Sequence, residues 1–417
     1  MRKWFLWIIP VLVVGCLQTA CGLGSDTAEP TAVCDKDAEN RCDETITLLS
    51  MDASSPAYQE FIRDAEQMLN IKINVREPNE NADNRHAEIS TILSSGDRSV
   101  DVITVNDEMM SEFKSKGYLE PISEETVSPE IRGLYPQQYL KAIPMEGDIL
   151  YSVPFYMDIM MFWVNQEILD KTGIEHINNI DEFKHLAEKT RSDGTYGYGG
   201  AWEKTYVYNE IYQFVNMFGG NYLDWSDEQT REAVKLLHDM ARNHDTPIDQ
   251  LVDQYDQMEQ KFIEGKYASI FMYSGAMNFF VQDGRYEENK IHIVKLPDFG
   301  AMKTNIATWQ YIINNASDHK EAAEKFLTYC ASAEGCKAYS NALHRLPARL
   351  DILDEELQIP DLDIMREYVS ECELEARYFT DAPMKSISEM GENFQEYIMN
   401  EITLDEFCER AQSIVEE

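Results

Sequence analysis

Between Thr45 and Val105 the chain alternates short apolar runs with helical ones, and this alternation constrains the fold more than any other feature. Thr45-Ile46-Thr47-Leu48-Leu49-Ser50 reads as a buried strand. Pro56 to Asn70 follows with Phe61, Ala65, Met68 and Leu69 at helical spacing. Ile71 to Val75 alternates apolar and polar residues as a strand does, His86 to Leu93 is helical, and Val100 to Val105 is a third strand. Strands alternating with helices imply an α/β fold with a parallel sheet covered by helices on both faces. Ligands of such sheets bind beyond the carboxyl ends of the strands. Asp52, Asn106 and Asp107 follow strand ends directly. They either face such a crevice or cap the helices that follow, since Asp and Asn do both.

Farther on, the chain is mostly helical. A helix is expected over Ile180–Thr190 with Asp181 as its cap, and another over Glu210–Phe218, stopped by Gly219-Gly220. Ser226 reads as the cap of a third helix, which runs to about Arg242. Strand-like segments return at Ala268–Met272, Ile291–Leu296 and Ile306–Ile313, and the C-terminal third is helical again. Trp163 on its apolar run reads as core, and Trp225 as a staple before the Ser226 helix.

The N-terminus carries an address. Met1-Arg2-Lys3 is basic, Trp4 to Val14 is uncharged and apolar, and Gly15-Cys16 closes the run. This is the layout of a secretory signal over residues 1–15. The apolar run is too short to span a membrane, which takes roughly 20 residues. A cysteine directly after the small residue resembles the lipobox of bacterial lipoproteins, which implies acylation of Cys16 and an anchor made of lipid. Cys21 is the alternative: Gln18 fits its pattern poorly, but it would leave an even set of cysteines. Residues 16–44 are rich in Gly, Ser, Thr, Asp, Glu and Pro, without apolar periodicity, and read as a flexible tether.

Composition excludes several functions. A chain of 417 residues with 44% apolar and 11% aromatic residues can bury two or more cores. A net charge of -39 opposes binding to nucleic acid or anionic lipid, so membrane contact is expected through the lipid anchor only. The cysteines form no C-x-x-C, the eight histidines form no H-E-x-x-H, and no G-x-S-x-G, Walker A or G-x-G-x-x-G occurs. No catalytic residue, metal or cofactor is therefore expected. With 75 acids in the chain, no pair can be read as a glycosidase pair.

Five segments taken in order resemble the family 1 extracellular solute-binding proteins of ABC importers. Val153-Pro154-Phe155-Tyr156, leading into Met161 to Leu169, resembles the family's first crossing between lobes. Phe262-x-x-Gly265-x-x-Ala268 resembles its "F-x-x-G-x-A-A" segment, with Ser269 in place of the second small residue. Leu296-Pro297 resembles the second crossing, Ala322 to Tyr329 with Ser332 and Glu334 a family helix, and Leu346-Pro347-Ala348-Arg349 the third crossing. The resemblance implies a two-lobed, periplasmic-binding-protein-like fold with three inter-lobe crossings (type II). Its lobes would be 45–154 with 298–345, and 155–297 with 346–417. It further implies a monomer on the extracytoplasmic face of the cell membrane. That protein takes up a small solute by hinge closure and hands it to ABC permease subunits driven by a cytoplasmic ATPase. A sugar or oligosaccharide is the expected solute. A glycan-active extracellular enzyme, or a binder of another solute on this fold, is the alternative.

Sugar recognition needs flat aromatic rings for the C–H face of a pyranose, and paired donors and acceptors for its hydroxyls. By resemblance, the loops carrying Asp52, Asn106 and Asp107 line the cleft, joined by Asp158 after the first crossing. Trp202 lies in a Gly-rich loop with Tyr206 close behind, and loops that carry aromatics are binding candidates. Trp309 follows the second crossing and is the second stacking candidate, from the opposite lobe. Tyr273 and Ser274 end the Ala268 strand, and Arg345 adjoins the third crossing.

Overall fold

The computed structural model describes residues 44–417 except 80–81, 191–193 and 288. The signal peptide, Cys16, Cys21 and nearly all of the tether lie outside the described residues. The main sheet has eight strands: β1 (Thr45–Leu49), β2 (Lys72–Arg76), β3 (Val102–Val105), β4 (Val153–Asn165), β5 (Ser269–Tyr273), β6 (Ile291–Val294), β7 (Lys303–Ile313) and β8 (Glu373–Ala376). The order β2-β1-β3-β7-β4-β5 forms its spine, with β8 beside β7 and β6 beside β4.

The first half matches the alternating pattern. Between β1 and β2 lies α1 (Pro56–Leu69). Ser55 caps it by accepting from the Tyr58 amide, Pro56 opens its first turn, and Asn70 ends it in the left-handed region at φ 52°. β1 pairs with β2 and β3 in parallel. The sheet is not parallel throughout, because β7 returns from the far end of the molecule and inserts antiparallel between β3 and β4.

Two strands join the halves, and each changes partners along its length. β4 is paired with β7 from Val153 to Ile159, then with β5 from Met160 and with β6 from Phe162. β7 is paired with β8 from Lys303 to Ile306 and with β3 from Gln310 to Ile313. The exchange therefore falls near Asp158 on β4 and Ala307 on β7. A third strand of chain passes beside them, where the Met157 amide donates to the Leu346 carbonyl and Tyr156 bridges Pro347. Residues 298–302 stay with the β5–β6 side. The Asp298 amide donates to Asn178, Phe299 packs against Phe183, and the Ala301 amide donates to Met217. The boundary expected at Pro297 thus differs from the strand exchange, which comes about one strand half later, inside β7.

Burial follows this layout. β4 is buried at every position except Asp158, as expected of a strand covered on both faces. One core packs β1 and β7 against α1 and the helices Lys320–Ala331 and Ala333–Leu343, with Phe61, Tyr311, Phe326 and Tyr339 at its centre. The larger core covers the other face and the β5–β6 side, and it contains Trp163 and Trp225 as expected. Two expected caps move by one or two residues. Asn179, not Asp181, accepts from the first amides of the helix at Ile180–Thr190. Asp227, not Ser226, accepts from the Thr230 amide, because the Ser226 side chain is turned back to Asp224. Cys330, Cys336, Cys372 and Cys408 are free thiols. Among the described residues no helix is long and apolar enough to cross a membrane.

Candidate functional site

A cavity of about 810 Å³ opens where the two sets of strands exchange partners. Successive residues of a strand face opposite sides, so Tyr156 with Asp158, and Ala307 with Trp309, project together into it from β4 and β7. Other walls come from the start of α2 (Ala82–Ser95) and α3 (Asp107–Ser115), from α4 (Tyr208–Met217), and from α5 (Tyr255–Ile263).

Six of the ten expected ligand residues line this cavity: Asn106, Asp158, Tyr206, Tyr273, Trp309 and Arg345. Asn106 is both lining and cap, since its Oδ1 accepts from the Met109 amide at 3.1 Å. Asp158 is held in place by the Ser274 hydroxyl at 2.8 Å and the Gly275 amide at 2.7 Å, and burial raises its carboxyl above the usual range. Arg345 lies over the Tyr156 ring at 4.6 Å. Trp309 is half-buried, with the Arg85 guanidinium 6.0 Å from its ring centre.

The other four stand outside it. Asp52 sits behind Arg345, accepting from its guanidinium at 3.0 Å and from the Tyr339 hydroxyl at 2.9 Å, so it positions that arginine. Ser274 is buried against Asp158. Asp107 is fully buried and accepts from Arg377 at 3.0 Å, from Gln310 at 3.1 Å and from Tyr139. Burial lifts its carboxyl to about 6 although Arg377 pulls the other way. Trp202 is a correction: it is completely buried, edge-on to Phe394 at 5.2 Å, and does not reach the cavity. The Gly-rich loop that seemed to expose it instead lies close against the core. Any Cβ at Gly199 or Gly200 would collide with Tyr267 or with Glu210 and Trp202. The glycines are there for close packing, not for flexibility.

Sequence reasoning missed a cluster centred on Arg377, which directly follows β8. Its buried guanidinium donates to Asp107, to Glu108 at 3.1 Å, to the Tyr208 hydroxyl at 2.6 Å and to Asn209. It thereby ties the start of α3 to the start of α4. The strand before it, Glu373-Leu374-Glu375-Ala376, does alternate polar and apolar residues, but over only four positions and without flanking turn residues, so it did not stand out. Tyr208, Tyr255, Glu259 and Phe279 were also missed as lining residues. The Tyr206-x-Tyr208 pair was the visible clue to the first of these.

The cavity thus combines flat rings (Tyr156, Tyr206, Tyr208, Tyr255, Tyr273, Phe279 and Trp309) with carboxylates, amides and guanidinia fixed by partners behind them. Such a surface suits a polar solute held by stacking and directed hydrogen bonds.

A family model described as "bacterial extracellular solute-binding protein" matches residues 50–336, and the chain belongs to that family. An arabinooligosaccharide-binding protein of Halalkalibacterium halodurans is 25% identical over 203 residues, a match spanning 44% of this chain and 44% of that relative. Among solved structures, maltose-bound MalE3 of T. maritima superposes with a TM-score of 0.74 at 16% identity, covering 89% of this chain and 99% of that one. An ABC substrate-binding protein from Listeria monocytogenes in complex with cycloalternan gives 0.75 at 18% identity, covering 89% and 98%. These likenesses establish the two-lobed α/β fold.

Proposed function

We propose that this protein captures a carbohydrate in the cavity between its two lobes and delivers it to an ABC permease driven by a cytoplasmic ATPase. The observation that carries the reading is the cavity lining: seven rings interleaved with buried, pre-oriented polar groups suit the two faces of a sugar. The similar proteins support it: one is an arabinooligosaccharide-binding protein, and two solved structures hold maltose and cycloalternan. The lobes part at the strand exchange near Asp158 and Ala307 and at Leu346-Pro347, so the first two crossings come later than Pro154 and Pro297. Ligand touches both lobes only when they close, and so shifts the population toward the closed form. The residues proposed to touch it are Asn106, Asp158, Tyr206, Tyr273, Trp309 and Arg345, with Asp52, Asp107 and Ser274 holding them from behind. The protein acts as a monomer without catalysis, on the outer face of the cell membrane, anchored by an acyl group on Cys16 or Cys21.

Calorimetric titration with a panel of mono- and oligosaccharides tests the reading. At least one should bind, and it should be recovered unchanged. Binding by none, or turnover of any, sinks it. Mass spectrometry of the membrane-extracted protein should show a diacylglyceryl cysteine at its N-terminus.

A further inference from the structure

Two guanidinia of the cleft face acids of the chain, Arg377 with Asp107 and Glu108, and Arg345 with Asp52; Arg85 lies beside the Trp309 ring. The acids Asp158, Asp256 and Glu259 line the same cavity, and none has a cation within ion-pair distance among the described residues. Glu259 is the telling member. It is 8% exposed, yet no described residue offers its carboxylate a hydrogen bond. Burial pushes its carboxyl up to about 8, and the charges that reach it, from Asp256 and Asp158, are of its own sign and add to the rise. Buried carboxylates are ordinarily paired, so this one awaits a partner from outside the chain.

Its surroundings specify that partner. Tyr255 and Glu259 stand four residues apart on α5, on one face of the helix, and both line the cavity. The Tyr255 ring meets Tyr206 at 5.0 Å and Tyr273 at 6.3 Å, both nearly at right angles, and the Arg377 guanidinium lies 5.8 Å from the Tyr273 ring centre. Below about pH 8 the empty site keeps Glu259 protonated; a cation beside it would offset the cost of burying the charge and displace that proton, and the aromatic rings attract the same cation. We infer that this wall receives a protonated amino group of the ligand, so that the solute is an amino-bearing sugar in preference to a neutral one. The inference rests on the carbohydrate reading of the cleft and names the substrate class within it.

The experiment is calorimetric titration of the intact protein near pH 7 with three matched series: glucosamine oligomers of two to four units, the same oligomers N-acetylated, and neutral glucose oligomers. Spermidine serves as a non-sugar amine. The free-amine series should bind roughly tenfold or more tightly than its acetylated counterpart. Glu259→Gln should bring that ratio to about one, and Asp256→Asn, at an exposed position, should reduce it roughly threefold. If Glu259→Gln does not fold, the Asp256→Asn ratio decides. Acetylated or neutral oligomers binding as well as the free amines overturns this inference while the carbohydrate reading stands. Spermidine binding with every sugar silent keeps the amine site and overturns the carbohydrate reading. Silence from all four overturns both.

Discussion

The Arg377 cluster and the Glu259 wall are buried to a similar depth in one cavity and are built in opposite ways. Around Arg377, two carboxylates, two tyrosine hydroxyls and two amide side chains form a hydrogen-bonded network with the cation inside. Around Glu259 there is an acid, two more acids of the same sign, and no closing partner. The first arrangement has its cation paired before any ligand arrives, so it holds α3 and α4 in place, although Arg377 Nε and Glu108 Oε2 are left without a hydrogen-bond partner among the described residues beside the cavity. The second is incomplete, so it contributes to binding. Depth of burial therefore does not separate scaffold from site in this cleft, whereas the state of pairing does.

The largest expected effect breaks the paired network. Removing one member of a buried ion pair leaves the other charge uncompensated, which costs about 3–5 kcal/mol. Arg377→Ala should lower the stability of the empty protein by that amount in a denaturant titration, because both Asp107 and Glu108 lose their cation. Glu259→Gln should leave stability unchanged or raise it, since it removes a buried acid that nothing pairs. Equal losses in the two variants would erase the distinction.

The two tryptophans extend the comparison to the apolar residues. Trp202 is enclosed by the core, and truncating such a side chain costs about 3–5 kcal/mol of stability. Trp309 stands half-buried at the cavity wall, and losing its stacking and burial should weaken sugar binding at least tenfold, by roughly 1.5–3 kcal/mol. Trp309→Ala should still fold. A Trp202→Ala protein that melts like wild type but no longer binds would return that residue to the cleft.

These pairs show what the sequence could and could not reveal. The alternation from Thr45 to Val105 predicted β1, β2, β3 and the helices between them, because apolar spacing reports local structure directly. Asp158, Tyr273 and Trp309 were expected at the cleft through the resemblance of their neighbouring segments, and the structure brings all three to one cavity. Sequence reasoning failed on Trp202, since a Gly-rich loop looks alike in sequence whether its glycines give freedom or permit close packing. It failed on Arg377 because that arginine gains its meaning from Asp107 and Glu108, about 270 residues earlier in the chain. Non-local pairing of charges leaves no periodic trace.

The next effect is a slope against pH. Glu210, buried against Tyr198, has its carboxyl raised to about 8 by burial, and Glu259 stands at about 8 for the same leading reason. Each ordinarily titrates at 4.5, so between that pH and about 8 the folded protein holds protons that the unfolded chain has released. Stability then falls as pH rises through this range, by up to roughly 1.4 kcal/mol per pH unit per group. Asp107, raised to about 6, contributes mainly below that pH, so the fall from 6 to 8 comes chiefly from the two glutamates, with Asp158, also raised by burial, acting in the same direction. Glu210→Gln or Glu259→Gln should each roughly halve the fall in that interval, and the double variant should remove most of it. A wild-type stability that rises from pH 6 to 8 would contradict both assignments.

The smallest effect sets the baseline against which the buried network is judged. Arg98 and Asp318 form an ion pair at 2.9 Å, and both side chains are more than half exposed, at 67% and 58%. Water and salt screen such a pair, and holding two long side chains together offsets much of the attraction, so its coupling should be about 0–1 kcal/mol. A double-mutant cycle with Arg98→Ala and Asp318→Ala measures that coupling directly, and raised salt should reduce it further. The same cycle on Arg377 and Asp107 should give a coupling several times larger that salt hardly alters, because no ions reach a guanidinium 4% exposed. The two pairs differ by only 0.1 Å in length, so any difference in coupling comes from solvent and partners, not from distance. A salt-sensitive Arg377 pair of similar strength to the surface one would mean that water enters the cluster, and that the paired network no longer explains how α3 and α4 are fixed.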